Sequence, residues 1–309
     1  MLITTRELAE QGLREHEIRA QVEAGKLVPV RRGVYRSPDG EPRAADLESL
    51  SDKELAHLQL IDATMPGLRS GACLSHVSAA VTHGLPVPEK LLGAVHVTRG
   101  GQGGKVRPNL HLHRSEVPAE HIVDDKHGPV TSLAWTVMDL ARSLPPIHAV
   151  ALIDKALAKG LDRAEVLDLL GEHRASGNVR AREVVRFGDA ASESVGESHS
   201  RWLMHELGLP MPRLQVRILT EDGGYVARPD FLWDDCRVVG EFDGRIKYGR
   251  LLKPGQSIAE VILAEKQREE AIRRQGYWVI RWVWSDLDDR ESFRRLITRG
   301  RALGSRSSA

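Results

Sequence analysis

The chain has 309 residues, more than one hydrophobic core usually supports, so the length predicts two or three domains. Hydrophobic residues make up 41% and charged residues 28% of it, which excludes a largely disordered or collagen-like protein. The formal net charge of +1 excludes a uniformly basic protein but leaves room for a local basic surface.

Cysteine usage and hydropathy narrow the class of protein further. Cys73 and Cys236 are the two cysteines, and without a second cysteine beside either one they cannot build a zinc finger or a disulfide framework. No apolar run approaches the length of a membrane helix, and residues 1–6 do not read as a signal peptide. The sequence therefore predicts a soluble, cytoplasmic protein with no membrane partner.

Residues 1–50 have the pattern of a winged-helix domain. A first helix, capped by Thr4 or Thr5, is predicted to end at Gly12, and a second helix follows at 14–24. Two short strands, at 27–30 and 34–36, flank a basic turn. Such a second helix enters the major groove of duplex DNA, and arginines of the hairpin contact phosphates or the minor groove. The candidate DNA-binding residues are Arg14, Arg19, Arg31 and Arg32.

Residues 51–185 predict a middle module of mixed α and β structure. Strand-like runs lie at 94–98 and 109–113, and the glycine-rich tract 100–104 between them predicts a long hairpin loop. Ser176-Gly177-Asn178 predicts a hinge into the last domain, whose edge lies somewhere from 172 to 190. The predicted helices are 53–64, 75–83, 132–143 and 147–158.

Residues 186–309 alternate between helical and strand-like segments. This order predicts an α/β domain with helices on both faces of its sheet. Together with the first two parts it gives a mixed α+β multidomain fold. The predicted helices are 193–207, 258–275 and 290–301, and the predicted strands are 213–219, 225–232, 237–242 and 277–284.

Carboxylates in two of these apolar strands suggest a metal site. Asp230 and Glu241 stand in segments short and apolar enough to be buried, where an unpaired carboxylate is costly. Asp243 lies two residues after Glu241 and so points to the same face of the strand. A divalent metal ion is one cation that would compensate such charges.

The C-terminal motifs resemble the PD-(D/E)xK nuclease superfamily, within it the branch similar to very-short-patch-repair endonucleases. The resemblance covers roughly residues 190–290 and implies that Glu197, Asp230 and Glu241 hold Mg²⁺ or Mn²⁺, with Asp243 as a further ligand. The motifs are Glu197-Ser198-His199-Ser200-Arg201, Gln215, Arg228-Pro229-Asp230-Phe231, Glu241-Phe242-Asp243-Gly244, Glu265-Lys266-Gln267-Arg268-Glu269 and Gly276-Tyr277-Trp278-Val279-Ile280-Arg281.

One position departs from that superfamily. The usual Glu-x-Lys is here Glu241-Phe242-Asp243, so the lysine that would orient the attacking water is missing from its place. Lys266, on the following helix, is the first candidate to supply the ammonium group, and Lys247 is the second.

The N-terminal part resembles AbiEi-type antitoxins of type IV toxin–antitoxin systems, over roughly residues 1–160. The resemblance implies DNA binding, repression of the chain's own gene and neutralisation of a nucleotidyltransferase toxin. It is carried by Leu27-Val28-Pro29-Val30-Arg31-Arg32-Gly33-Val34-Tyr35, Leu74-Ser75-His76-Val77-Ser78-Ala79-Ala80, His83-Gly84-Leu85-Pro86, Gly128-Pro129-Val130-Thr131-Ser132-Leu133 and Asp139-Leu140-Ala141.

Two functions therefore compete. The first is a Mg²⁺-dependent endodeoxyribonuclease of phage defence or DNA processing, with Glu197, Asp230, Glu241 and Lys266 as its catalytic residues. The second is a non-catalytic repressor or antitoxin whose last domain only binds DNA or a partner. The target sequence, the toxin and a homodimer are left open by the sequence.

Overall fold

The structure is a computed structural model that describes residues 2–38, 50–101, 104–173, 175–244 and 258–307. Its mixture of helices and sheets confirms the predicted α/β multidomain class. The chain forms two compact units: residues 1–143 with 161–182, and residues 144–160 with 183–309. The three-domain division stays a prediction. Among the described helices, none has the length and apolar character needed to cross a membrane.

The N-terminal part has the predicted helix–turn–helix and hairpin. Strand β1 is Leu2–Thr4, helix α1 Thr5–Glu10, helix α2 Glu15–Glu23, strand β2 Val28–Arg31 and strand β3 Val34–Arg36. The three strands form an antiparallel sheet in the order β1-β3-β2, of which β1 was not predicted. Leu8, Ile18 and Leu27 are the buried core that joins the helices to this sheet.

The rest of the first unit contains a sheet in the order β6-β7-β5-β4-β9-β8. The predicted helices at 53–64, 75–83 and 132–143 are confirmed within about one residue at each end. The elements are α3 Asp52–Thr64, β4 Cys73–Leu74, α4 His76–Thr82, β5 Val95–Thr98, β6 Lys105–Arg107, β7 Leu110–His113, β8 Ile122–Asp125, β9 Gly128–Thr131, α5 Leu133–Ser143 and α7 Arg163–Glu172.

The predicted hairpin between 94–98 and 109–113 is wrong. Strands β5 and β7 pair in parallel, and the hairpin partner of β7 is β6, which was not predicted. A parallel pair needs a crossover, and here the segment with β6 provides it. Of the glycine-rich tract, Gln102 and Gly103 lie outside the described residues.

The residues of the predicted hinge, 176–178, pack within the first unit, and the boundary between the two units, at 182/183, lies inside the predicted range of 172–190. The Asn178 amide donates to the carbonyl of Leu170 at 2.7 Å, and its oxygen accepts from Arg142 Nε at 2.7 Å. Gly177 has a φ of +88°, and a Cβ there would lie 2.8 Å from the Arg142 carbonyl oxygen. These contacts fix the start of helix α8, Asn178–Phe187, instead of leaving a flexible linker.

The second unit contains the remaining elements: α6 Pro146–Ala158, α9 Val195–Glu206, β10 Arg213–Leu214, β11 Ile218–Leu219, β12 Tyr225–Ala227, β13 Phe231–Trp233, β14 Val238–Phe242, α10 Ile258–Arg274, β15 Trp278–Trp282, α11 Trp284–Asp288 and α12 Arg290–Ser307. It is built on a four-stranded sheet in the order β10-β13-β14-β15. Strand β14 pairs antiparallel with β13 and parallel with β15. One apolar cluster around Trp282 and another around Val239 pack on this sheet, in line with the prediction that both of its faces are covered.

Three predicted strands have different bounds in the structure. The runs 213–219 and 225–232 are each broken, so that β11 and β12 form a separate two-stranded sheet. The positive φ of Gln215, +52°, marks the first break. Strand β15 ends at Trp282, because the Val283 N–H is capped by Asp286 Oδ2 at 2.8 Å and Trp284 begins a helix.

Candidate functional site

Glu197 lies in the first turn of α9, where its carboxylate receives several hydrogen bonds. Ser194 caps the helix by accepting from the Glu197 N–H, and its hydroxyl donates to Glu197 Oε1 at 2.7 Å. The Glu193 N–H and the Gln215 side-chain amide donate to Oε2 at 2.9 and 3.1 Å. The buried carboxylate thus stabilises the helix start, as carboxylates near helix N-termini do.

A glycine lets this helix start approach strand β14 closely. A Cβ built on Gly196 would lie 1.9 Å from the ring of Phe242, the last residue of β14. Any larger residue at position 196 must therefore displace this ring. The contact places Glu197 next to the carboxyl end of β14.

Asp230 lies between β12 and β13 and connects Glu197 to β14. Its Oδ2 accepts from the Phe242 N–H at 2.9 Å, and Gln215 Nε2, which also contacts Glu197, lies 3.4 Å from its Oδ1. Burial, together with the nearby charges of Glu197 and Glu241, raises the pKa of Asp230 to about 6. A buried and a half-buried carboxylate are therefore joined by one amide, an arrangement common at functional sites.

Glu241 is held by two arginines. Arg281 Nε donates to Glu241 Oε2 at 3.0 Å, and Arg268 Nη1 lies 2.7 Å from Oε1 without the alignment of a hydrogen bond. Glu241 and Arg281 are register partners on the paired strands β14 and β15, so their side chains project from the same face of the sheet. The cation beside this buried acid is a guanidinium group.

Arg281 also binds two glutamates of helix α10. Its Nη2 donates to Glu265 at 2.7 Å and its Nη1 to Glu269 at 2.5 Å. Its guanidinium group thus contacts carboxylates on one strand and one helix, which ties α10 to the sheet. The sequence carried a signal for this, since Glu265 and Glu269 stand one helical turn apart and face the same way.

Lys266 was the first candidate to replace the lysine that is missing from Glu241-Phe242-Asp243. Lys266 is exposed on α10, whereas the cations in contact with Glu241 are Arg268 and Arg281. Lys247 lies outside the described residues. Asp243 follows β14, and its N–H donates to the Trp282 carbonyl at 2.9 Å.

Glu197, Asp230 and Glu241 do not form a compact metal site with three carboxylate ligands in this structure. Within the described ranges, a single set of three His, Cys, Asp or Glu side chains has its ligand atoms within 4.8 Å of one another, and it contains no acid. Glu241 would have to exchange its arginines for the ion. The residues therefore do not fit a three-ligand Mg²⁺ site, and the role of Glu197, Asp230 and Glu241 as metal ligands stays a prediction.

The predicted DNA-binding arginines have different surroundings. Arg32 is exposed at the turn of the hairpin, beside Gly33 with its φ of +80°. Arg14 is exposed at the N-cap of α2, and Arg19 forms a surface ion pair with Glu15 at 2.7 Å. Arg31 is partly buried and donates to the Ala63 carbonyl at 3.1 Å, which anchors the hairpin to α3.

The sequence interpretation missed a histidine cluster in the first unit. This cluster consists of His96, His111 and His113, the three side chains whose ligand atoms lie within 4.8 Å of one another. The signal was available: His111-Leu112-His113 places two histidines on one face of a strand. Nothing in the sequence placed His96 beside them, because β5 and β7 were predicted to be antiparallel.

Comparisons with known proteins place the chain in a family. Residues 2–38 match the family model described as "Transcriptional regulator, AbiEi antitoxin", which confirms the N-terminal resemblance over that segment. Two curated Mycobacterium tuberculosis proteins, the uncharacterized proteins MT2308 and Rv2248, are each 30% identical over 268 residues. These alignments cover 82% of this chain and 92% of each relative. The chain belongs to their family.

A solved structure is also similar in part. The crystal structure of the RV2827C protein from Mycobacterium tuberculosis matches with a TM-score of 0.39 and 15% sequence identity. The match covers 71% of this chain and 84% of that chain.

Proposed function

We propose that the chain is a DNA-binding transcriptional regulator of the AbiEi antitoxin type. The observation that carries the proposal is the helix–turn–helix and hairpin of residues 2–38, the segment that matches this family. A double-stranded DNA partner follows from it, and a nucleotidyltransferase toxin is the proposed protein partner.

The arginines of this segment support contact with DNA phosphates. Residues 2–38 carry seven Lys or Arg side chains against five Glu, whereas the whole chain has 44 Lys or Arg against 43 Asp or Glu. Arg32 projects from the turn where a wing contacts the backbone of DNA. The Arg19–Glu15 pair is exposed on both sides and so weak that a phosphate can replace the carboxylate.

The second unit supports a regulator that does not cleave DNA. Glu241, the proposed third ligand, is neutralised by Arg281 and Arg268. Glu197 serves its own helix start. On this proposal the carboxylates and arginines stabilise the packing of helix α10 on the sheet and do not bind a metal ion.

Binding to the duplex upstream of the chain's own gene tests the proposal. Fluorescence anisotropy of full-length protein should show saturable binding, and Arg32→Ala should weaken it about tenfold while lowering the salt slope by about one unit. Arg107→Ala, which removes an exposed arginine of β6, is the matched control and should leave both quantities unchanged. An equal effect of both variants, or no binding, would contradict the proposal.

A Mg²⁺- or Mn²⁺-dependent endodeoxyribonuclease is the second candidate function. It is favoured by Glu197 and Asp230, which share Gln215 and of which Asp230 has a raised pKa of about 6. Plasmid nicking with Mg²⁺ or Mn²⁺ that is lost in Asp230→Asn and retained in Arg107→Ala would establish it. No cleavage by protein that binds the same DNA would support the regulator.

A further inference from the structure

Three histidines of the first unit project from the same face of one sheet. In the parallel pairing of β5 with β7, His96 is the register partner of His111, and Thr98 is that of His113. His111 and His113 are two residues apart, so their side chains share a face. The ring centroids of His111 and His113 lie 4.6 and 5.1 Å from that of His96.

The ring nitrogens of these histidines are close enough to share an ion. One nitrogen from each of the three lies within 4.8 Å of the others, and His96 Nδ1 is 2.9 Å from His113 Nε2. Zinc binds imidazole nitrogens at about 2.0–2.1 Å in tetrahedral geometry, which separates two ligand nitrogens by about 3.3 Å. The His96–His113 pair would have to open by a few tenths of an ångström to bind the ion.

The surroundings hold the rings of His96 and His113 in place. The His76 ring stacks on His113 at 3.7 Å, and its Nδ1 lies 3.6 Å from Asp139. Ser78 Oγ accepts from the His96 N–H at 2.8 Å, which fixes the backbone of β5.

We propose that His96, His111 and His113 bind one Zn²⁺ ion, or a divalent transition-metal ion of similar chemistry. Three imidazole ligands suit such ions and not Mg²⁺, which prefers oxygen. Three protein ligands leave a fourth position of the tetrahedron for water or an outside ligand. This site differs in chemistry from the acidic residues of the second unit and does not depend on the proposed function.

Metal titration of the tag-free, full-length protein tests the site. After treatment with a chelator, isothermal titration with ZnCl₂ should give one ion per chain, and Co²⁺ should give the visible absorption of a tetrahedral complex. MgCl₂ in excess should not compete. No binding of Zn²⁺, or competition by Mg²⁺, would overturn the proposal.

Substitution of the ligands separates this half-buried site from metal binding by exposed histidines elsewhere in the chain. His111→Gln and His113→Gln should each weaken Zn²⁺ binding by more than the about 10–100-fold typical of losing a group that only orients a ligand. His16→Gln removes an exposed histidine of α2 and should leave the affinity unchanged. Circular dichroism must show that the variants fold. If folded His111→Gln binds Zn²⁺ as the original chain does, the assignment is wrong.

Discussion

Asp230 shows how burial and neighbouring charge set the behaviour of a single residue. Its carboxylate accepts one backbone hydrogen bond, from the Phe242 N–H, yet burial and two nearby glutamates raise its pKa to about 6. The folded chain therefore binds a proton here more tightly than the unfolded chain does. Its contribution to stability is fully present below pH about 4 and is lost as the pH rises through about 6.

Asp230→Asn should remove this pH dependence. The amide oxygen can still accept from Phe242, but no charge is buried at neutral pH. We expect the variant to be more stable than the original chain by about 1–3 kcal/mol at pH 8, with a difference that vanishes near pH 4. Thermal unfolding from pH 4 to 8 measures this, with Asp288→Asn as the exposed control. A constant difference over that range would show that Asp230 has an ordinary pKa.

Helices α6 and α9 of the second unit are joined by a buried ion pair. Asp154 Oδ2 accepts from Arg201 Nη1 and from Ser198 Oγ, both at 2.8 Å, and its Oδ1 accepts from the Asp189 N–H at 2.7 Å. Both charged side chains are almost inaccessible, at 1% and 6% exposure. Removing one partner leaves the other charge buried without compensation.

Arg201→Met should therefore destabilise the protein by about 3–5 kcal/mol, since it leaves Asp154 unpaired. Adding Asp154→Asn to this variant should recover part of the loss, because the remaining group is neutral and can still accept hydrogen bonds. Urea unfolding of the two variants measures both values. Arg290→Met, at an exposed pair with Glu206, is the control and should cost less than about 1 kcal/mol. Similar losses for Arg201→Met and the control would contradict this account.

At the scale of the whole molecule, charge is nearly balanced, so the proposed affinity for DNA would have to come from a local surface. The formal net charge is +1. Long-range attraction to DNA is weak for such a chain, and the number of phosphate contacts determines how its affinity responds to salt. Arg31, one of the four predicted contacts, already donates to the Ala63 carbonyl.

The salt dependence of DNA binding should accordingly be shallow. If each of the four arginines contacts one phosphate, the slope of log K against log salt is about −3.6 per chain, and fewer contacts make it shallower. Anisotropy titrations over a range of NaCl concentrations give this slope directly. A markedly steeper slope would mean that further basic residues, or a second copy of the chain, contact the DNA.

Local patterns in the sequence determined much of the fold. The helix–turn–helix was predicted in part from a cap at Thr4 or Thr5, and the structure shows that Thr4 caps α1 and Ser51 caps α3 through hydrogen bonds that span only a few residues. Glu197, Asp230 and Glu241 could also be recognised in the sequence, because each stands in a short motif that is visible without the structure. The arginine that neutralises Glu241 could not be predicted, because Arg281 contacts Glu241 only through the pairing of β14 with β15.

Strand pairing was decided by the tertiary structure alone. The order of β5, β6 and β7 is compatible with a simple hairpin, and only the parallel register places His96 beside His111. Likewise, Gly177 and Asn178 have the composition of a hinge, yet hydrogen bonds to Arg142 and Leu170 make them part of a packed unit. The sequence by itself specified which residues are apolar, capped or chargeable, since those properties depend on near neighbours. Which charges and imidazoles meet depends on contacts between segments far apart in the chain, and these exist only once the sheets have formed.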